Sequence, residues 1–330
     1  MQLPRFDFLQ PRSLQEACSI LREGNGKVSV LAGGTAFMVA LRSRLHTPSA
    51  VISTKALSEL SYIREASDGG LVIGAMTTLE ALENSPLVAN GYAVLGQAAR
   101  FVGVPPIRHV ATVGGNLCLD TRCIFYNQSE FWRKARPDCF KLGGDVCHAI
   151  DKGRRCLAVY QGDLAPALVA LGARVRIVGV SGEKVIPLTQ FYTGNGEKPN
   201  VLEPGDILAE VQIPPSSGNT WGGYEKLRVR EGMDFPLAGV AVSIKTNANG
   251  AIDQARLVLG AVAPSPLEVP EATELLVGQK LTDSLLESVA QKAYDRARPV
   301  ANLAVDASYR RKMVRVLVKR AIGRAVSGNG

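Results

Sequence analysis

The sequence has no apolar run approaching the roughly 20 residues that a membrane-spanning helix needs, so a bilayer-embedded chain is not expected. The opening MQLPRFDFLQ lacks a basic segment followed by an apolar one, which argues against a secretory signal and makes the cytoplasm the expected compartment. No G-x-G-x-x-G opens the N-terminal unit and no Walker A sequence occurs, so neither a Rossmann dinucleotide site nor a P-loop is expected. Internal repeats and low-complexity tracts are absent. Cysteine is scarce, with six residues in 330, and a disulfide framework is not expected in a reducing compartment. Closely spaced C-x₂-C pairs, the usual mark of structural zinc and of bacterial ferredoxin runs, are absent too.

What is present fits an ordinary globular chain long enough for two or three domains, with 46% hydrophobic and 21% charged residues. The net charge of +8 permits an anionic partner, but much of the excess is local. Residues 306–324 carry seven basic residues against one acid, and Tyr309, Met313, Val316, Leu317 and Ala321 recur at helical spacing. This predicts an amphipathic C-terminal helix with a solvated basic face, and its single tyrosine gives little support to nucleic-acid binding.

Periodicity and capping signals order the rest. Ser13 and Glu16 predict a capping box for a helix over 13–23, with Cys18 on its buried face and Gly24 just past its end. Lys27–Ala32 and the AVISTKA stretch read as strands flanking a helix over 36–44, a βαβ-like unit. GLVIGAM is another strand, and Thr77 with Glu80 predicts a second capping box. DLAPALVALGARVRIVG reads as helix then strand, so 118–160 has the character of an insertion. The Pro-, Gly- and Ser-rich stretch at 198–219 suggests a boundary, giving domains 1–218 (subdomains about 1–55 and 56–218) and 219–330, the latter strands followed by helices.

Two turns share a chemistry: AGGT at 32–35 and VGGN at 113–116. Paired glycines let backbone approach an anion closely, and successive N–H groups can surround a phosphate. Two such loops together could hold a pyrophosphate, although a glycine pair alone is more often only a turn.

Five of the six cysteines lie between Cys118 and Cys156. Cys123, Cys139, Cys147 and Cys156 are separated by 15, 7 and 8 residues, enough thiolates for tetrahedral zinc or a cubane iron–sulfur cluster, and spacing does not choose between them. Eight basic against four acidic residues between 122 and 156 would offset an anionic four-thiolate centre. His148 adjoins Cys147, with a supporting or surface role expected, and Cys118 is expected to pack. A zinc-containing, basic nucleic-acid-binding protein is the competing reading from another class; a subunit binding flavin only structurally is a further one.

Both glycine turns, IRHVATVGGNLC, DLAPALVAL, YEKLRVREGMDFPLAGVAVSI and YRRKMVRVLVKRAI resemble the FAD-binding medium subunit of the xanthine dehydrogenase/carbon monoxide dehydrogenase family of molybdenum hydroxylases. The resemblance implies an α+β fold: a two-part FAD-binding domain carrying the insertion, then a C-terminal domain of antiparallel sheet plus helices. It implies FAD held at its pyrophosphate by Ser29, Val30, Leu31, Ala32, Gly33, Gly34, Thr35 and Ala36 with Thr112, Gly115 and Asn116. Asp163 would hold ribose or ribityl hydroxyls, Leu208 would pack on the ring system, and Lys226 would sit near the flavin. The segment with DTRCIFYNQSEFWR resembles the flavin subunit of 4-hydroxybenzoyl-CoA reductases, which implies a [4Fe–4S] cluster on Cys123, Cys139, Cys147 and Cys156. Implied partners are a large molybdenum-cofactor subunit, a small [2Fe–2S] subunit in a dimer of heterotrimers, and ferredoxin as electron donor, with no nucleic acid or membrane. No catalytic residue is expected on this chain. The alternative is the flavin subunit of an aldehyde- or N-heterocycle-oxidising complex with electrons flowing outward. Ala36-Phe37 departs from the acidic or polar residue common after the GGT turn.

Overall fold

The structure, a computed structural model, describes residues 3–216 and 219–327. Strand β1 (Asp7–Leu9), helix α1 (Leu14–Glu23), β2 (Val28–Leu31), α2 (Phe37–Arg42) and β3 (Ala50–Ser53) form a small parallel sheet in the order β1-β3-β2. Helix α1 starts because Ser13 Oγ accepts the Glu16 N–H at 3.1 Å, while Glu16 reaches back to the Arg12 N–H at 2.7 Å. Such a cap stabilises a helix by about 1 kcal/mol. The helix buries Ala17, Cys18 and Leu21 against Ile52, Ile207 and Ala209. Strand β2 runs directly into the first glycine turn, which therefore sits at the C-terminal end of a parallel strand, where α/β units bind ligands.

The second layer is an antiparallel sheet of β4 (Ile63–Glu65), β5 (Leu71–Gly74), β6 (Arg174–Gly179), β7 (Gly182–Pro187) and β8 (Ile207–Ile213), ordered β4-β5-β8-β6-β7. Central β8 comes from the Pro/Gly-rich stretch read as a boundary. Its residues are almost all buried, so burial on both faces overrides the flanking turn signals. Helices α3 (Leu79–Glu83), α4 (Ala93–Arg100), α5 (Val113–Leu117) and α6 (Leu164–Ala170) share its core. Helix α3 is capped by Thr78, which accepts the Ala81 N–H at 3.2 Å. Thr77 donates instead to the Tyr62 carbonyl at 2.8 Å, which moves the expected cap by one residue.

The expected boundary at 218/219 adjoins Ser217 and Gly218, which lie outside the described residues. Beyond it, β9 (Thr220–Leu227), β10 (Ala238–Thr246), β11 (Ile252–Gly260) and β12 (Leu267–Glu268) form an antiparallel sheet covered by α7 (Pro270–Leu276), α8 (Asp283–Arg296) and α9 (Ala307–Ser327). The buried stripe of α9 is Val314, Leu317, Val318, Ala321, Ile322 and Ala325, not the Tyr309–Met313–Val316 row. Arg310 turns the helix this way. Its buried guanidinium donates to the carbonyls of Leu237 (2.9 Å), Ala261 (2.7 Å) and Val300 (3.0 Å) and to Asn302 Oδ1 (3.2 Å), and burial lowers its pKa to about 10. The basic face is thus not wholly solvated. Among the described residues no helix is long and apolar enough to cross a membrane.

Segment 118–160 is closed at its ends by reciprocal backbone bonds between Arg122 and Val159 (2.7 and 2.8 Å). It contains only two short helical turns, Glu130–Arg133 and Phe140–Leu142. Buried Arg133 clamps it to the sheet layer, donating to the carbonyls of Ser43 (3.1 Å) and Arg44 (2.8 Å) just past α2.

Candidate functional site

The two glycine turns meet. A Cβ built on Gly33 would lie 2.0 Å from the Val110 carbonyl oxygen, and one on Gly115 would lie 3.8 Å from the Ala32 Cβ. Only glycine at 33 permits that approach. The turns differ in what they offer. Among the described residues, the backbone N–H groups of Gly33, Gly34, Thr35 and Ala36 have no acceptor within the protein. In the second turn the donors are committed: Val113 to the Thr77 carbonyl (3.0 Å), Gly114 to the Ala75 carbonyl (2.8 Å) and Gly115 to Thr112 Oγ1 (3.1 Å). Asn116 Oδ1 accepts the Leu164 N–H at 3.1 Å and so ties that turn to α6. Four successive unanswered donors beside a helix start suit a phosphate group. Val30, Val39 and Val110, exposed beside the turns, supply apolar surface that a ligand could cover.

The other residues expected at the flavin lie deeper. Lys226 Nζ donates to Asp163 Oδ2 (3.0 Å) and to the Phe101 carbonyl (2.9 Å), while Tyr224 Oη donates to Asp163 Oδ1 (2.7 Å). Burial pushes the Asp163 carboxyl upward, and Lys226 and Tyr224 pull it back. Leu208 is buried in β8 opposite Ile177, within the main core. Ser29 and Leu31 are half-buried in β2.

Cys123, Cys139, Cys147 and Cys156, far apart in sequence, line one cavity with Phe125, Tyr126, Phe140, Val146, His148 and Lys141. The cavity volume is about 20 Å³, close to the room one water needs. Among the described residues, no three His, Cys, Asp or Glu side chains are placed to hold a metal ion. The cavity is prepared for sulfur. The Ala158 N–H donates to Cys156 Sγ at 3.4 Å. Gly196 and Gly153 have no Cβ where one would strike Cys156 and Cys147. Burial pushes the Cys123 thiol up to about 11 and raises Cys156, against which the Lys141 cation pulls. These features fit a four-thiolate centre, for which hydrogen bonds to sulfur and local charge are the protein's levers.

Lys141, one of the eight basic residues expected to offset an anionic centre, is the one of them that lines the cavity, which sequence reasoning did not single out. Its ammonium, 5% exposed, donates to Asp120 Oδ1 (2.8 Å), Thr121 Oγ1 (2.8 Å) and the Gly196 carbonyl (2.6 Å). Asp120 also faces His46 at 3.7 Å, and the His46 ring stacks on Phe37, the first residue of α2. A chain of contacts thus leads from the cysteine cavity to the first residue of α2. His148 Nε2 lies 2.9 Å from the Pro137 carbonyl, and its ring leans on Phe125. Cys118 packs against the core, its thiol pushed up to about 12 by burial.

A parallel unit with a donor-rich glycine turn, joined to an antiparallel sheet and a helix-covered C-terminal sheet, defines a flavoprotein of two-domain type. The model for the FAD binding domain in molybdopterin dehydrogenase matches residues 4–216, and that for the CO dehydrogenase flavoprotein C-terminal domain matches 223–325. The chain belongs to this family of FAD-binding subunits of molybdenum hydroxylases, and its fold is the expected α+β one. It is 29% identical over 322 residues to the carbon monoxide dehydrogenase medium chain of Afipia carboxidovorans, covering 97% of this chain and 96% of that one. It is 27% identical over 317 residues to the nicotinate dehydrogenase FAD-subunit of Eubacterium barkeri (96% and 94% covered). It is also 31% identical over 274 residues to the aldehyde oxidoreductase FAD-binding subunit PaoB of Escherichia coli (80% and 81%). A solved structure of reconstituted CO dehydrogenase from Oligotropha carboxidovorans superposes with a TM-score of 0.81 at 27% identity, covering 99% of both chains.

Proposed function

We propose that this chain carries electrons between FAD and an additional [4Fe–4S] cluster within a complex whose molybdenum cofactor sits on a large subunit and whose [2Fe–2S] clusters sit on a small one, as a dimer of heterotrimers. The observation that carries the cluster reading is the single cavity lined by Cys123, Cys139, Cys147 and Cys156. The unanswered N–H groups of Gly33–Ala36 hold the FAD pyrophosphate, supported from behind by the Thr112–Asn116 turn. FAD, when bound, exchanges electrons singly or in pairs and so joins a one-electron cluster to a two-electron reaction. Asp163, proposed for the flavin's ribose or ribityl hydroxyls, and Lys226, proposed beside the flavin, pair with one another at 3.0 Å.

For the whole complex, oxidation of an aldehyde or N-heterocycle with electrons leaving through this subunit is supported by the names of the nicotinate and aldehyde relatives. One observation favours a second reading, reductive dehydroxylation of 4-hydroxybenzoyl-CoA with electrons entering from ferredoxin. It is the cysteine cavity itself, a feature that the resembling reductase subunit carries.

The test is an anaerobic absorption spectrum with iron, zinc and flavin analysis, followed by substrate assays on the intact complex. Flavin absorption over a broad brown shoulder that bleaches with dithionite is expected. Reduction of the complex by an aldehyde or N-heterocycle supports the outward direction. Reoxidation of the reduced complex by 4-hydroxybenzoyl-CoA supports the inward one. A colourless, zinc-containing protein overturns the redox reading.

A further inference from the structure

The cysteine segment leaves the fold as a two-stranded ribbon that splits after one step. Arg122 and Val159 exchange both backbone hydrogen bonds, at 2.7 and 2.8 Å, in a single antiparallel bridge. In an antiparallel ladder the next such pair lies two residues on, so the Ile124 N–H should meet the Leu157 carbonyl. It does not. The Ile124 N–H donates to the Asn302 carbonyl at 2.8 Å, and the Leu157 carbonyl accepts from Asn302 Nδ2 at 2.6 Å. Asn302, in the loop between α8 and α9, therefore stands between the two limbs and answers both groups that the ladder would have joined.

The orientation of this side chain is fixed from behind. Arg310 Nη1, on α9, donates to Asn302 Oδ1 at 3.2 Å. A guanidinium offers donors only, so the amide turns its oxygen to Arg310 and its NH₂ to Leu157. Arg310 is itself held by the carbonyls of Leu237, Ala261 and Val300. Both Asn302 and Arg310 are buried, so their bonds are made in a low dielectric, where they are strong. The split falls at the thiols. Cys123 precedes Ile124 and Cys156 precedes Leu157, and both cysteines line the cavity together with Leu157 itself.

We infer that Asn302 is a positioning residue for the four-cysteine centre, a wedge that holds the Cys123 and Cys156 limbs apart. The inference rests on the cluster reading above and gives the C-terminal domain a part in building that site. Removing the amide leaves the Leu157 carbonyl without its donor and lets it close on the Ile124 N–H, as an unbroken ladder would. That closure draws the two thiol-bearing limbs together.

The test is made on the intact complex. Iron per flavin, iron release to a ferrous chelator and the electron paramagnetic resonance spectrum after dithionite are measured for wild type, N302D, N302Q, V318A and C139A/C147A. Iron and signals that persist in C139A/C147A belong to other subunits, so only the difference is read. N302D keeps an oxygen for Arg310 and the backbone carbonyl for Ile124, and loses only the donor to Leu157. It is expected to retain its flavin, to release the cluster iron at least about tenfold faster than wild type, and to shift the g-values of the reduced cluster. N302Q, with its amide on a longer arm, should recover part of both properties. V318A loosens the C-terminal core, a cluster that includes no residue of the insertion, and should keep wild-type iron and g-values. Wild-type behaviour of N302D, the same iron loss in V318A as in N302D, or loss of flavin in step with iron in N302D overturns the wedge. If C139A/C147A matches wild type, the cluster reading fails. If it loses iron while N302D matches wild type, the wedge alone fails.

Discussion

Lys226 and Asp163, 63 positions apart in the sequence, form a buried ion pair at 3.0 Å, with both side chains almost wholly out of solvent. Removing one partner leaves a charge without compensation, a loss of about 3–5 kcal/mol. K226M is expected to destabilise the chain by that order in denaturant unfolding. D163N/K226M should lose less than the sum of the two single changes, because it leaves no lone charge.

Gly33 is where the two loops touch. G33A places a methyl against the Val110 carbonyl and should separate the turns, lowering both stability, by about 1–3 kcal/mol, and flavin content. G323A, on a helix with open space at that point, is the control and should retain its flavin. Flavin released on denaturation is the measure.

Cys139 stands alone among the cavity thiols in joining a β-bridge, to Val146. C139A should lose iron while keeping flavin, and C18A, in the α1 core, should lose neither. Iron unchanged in C139A would remove Cys139 from the ligand set.

Lys141 places a buried positive charge at the same cavity. K141Q should shift the midpoint potential of the proposed cluster downward, since a cation favours the more reduced, more negative state. A redox titration followed by electron paramagnetic resonance reads this shift, and K141R should restore part of it.

Only thiolates react with alkylating reagents, and burial pushes Cys18 up to about 11 and Cys118 up to about 12. Both thiols should therefore stay protonated and unmodified by iodoacetamide at neutral pH in the native chain. Modification should rise only as pH approaches those values, as peptide mass spectrometry would show.

Local signals were legible where neighbours in sequence decide the structure. Ser13 capping α1, the alternation of β2 and the turn at Gly33–Gly34 are of that kind. The threonine cap slipped by one residue because adjacent Thr77 and Thr78 are chemically equivalent, and only the Tyr62 carbonyl distinguishes them. Strand β8 was hidden by the prolines and glycines that flank it, and the buried face of α9 by Arg310, whose acceptors lie on three other segments. At the site, glycine and cysteine residues announced themselves, but their convergence did not. That Gly33 meets Val110, that Asp163 meets Lys226, and that Lys141 reaches Asp120 and Gly196 are long-range facts with no local signature.

The Arg133 clamp makes the inserted segment a structural dependency and not an accessory. The carbonyls of Ser43 and Arg44, at a left-handed turn just beyond the glycine loop, take their donors from a side chain within the insertion. A chain shortened by excising 118–160 would not be a plainer flavoprotein with one electron carrier fewer. It would be one in which the turn after α2 had lost its buttress, so the insertion holds up its neighbour whether or not its cysteines carry a cluster.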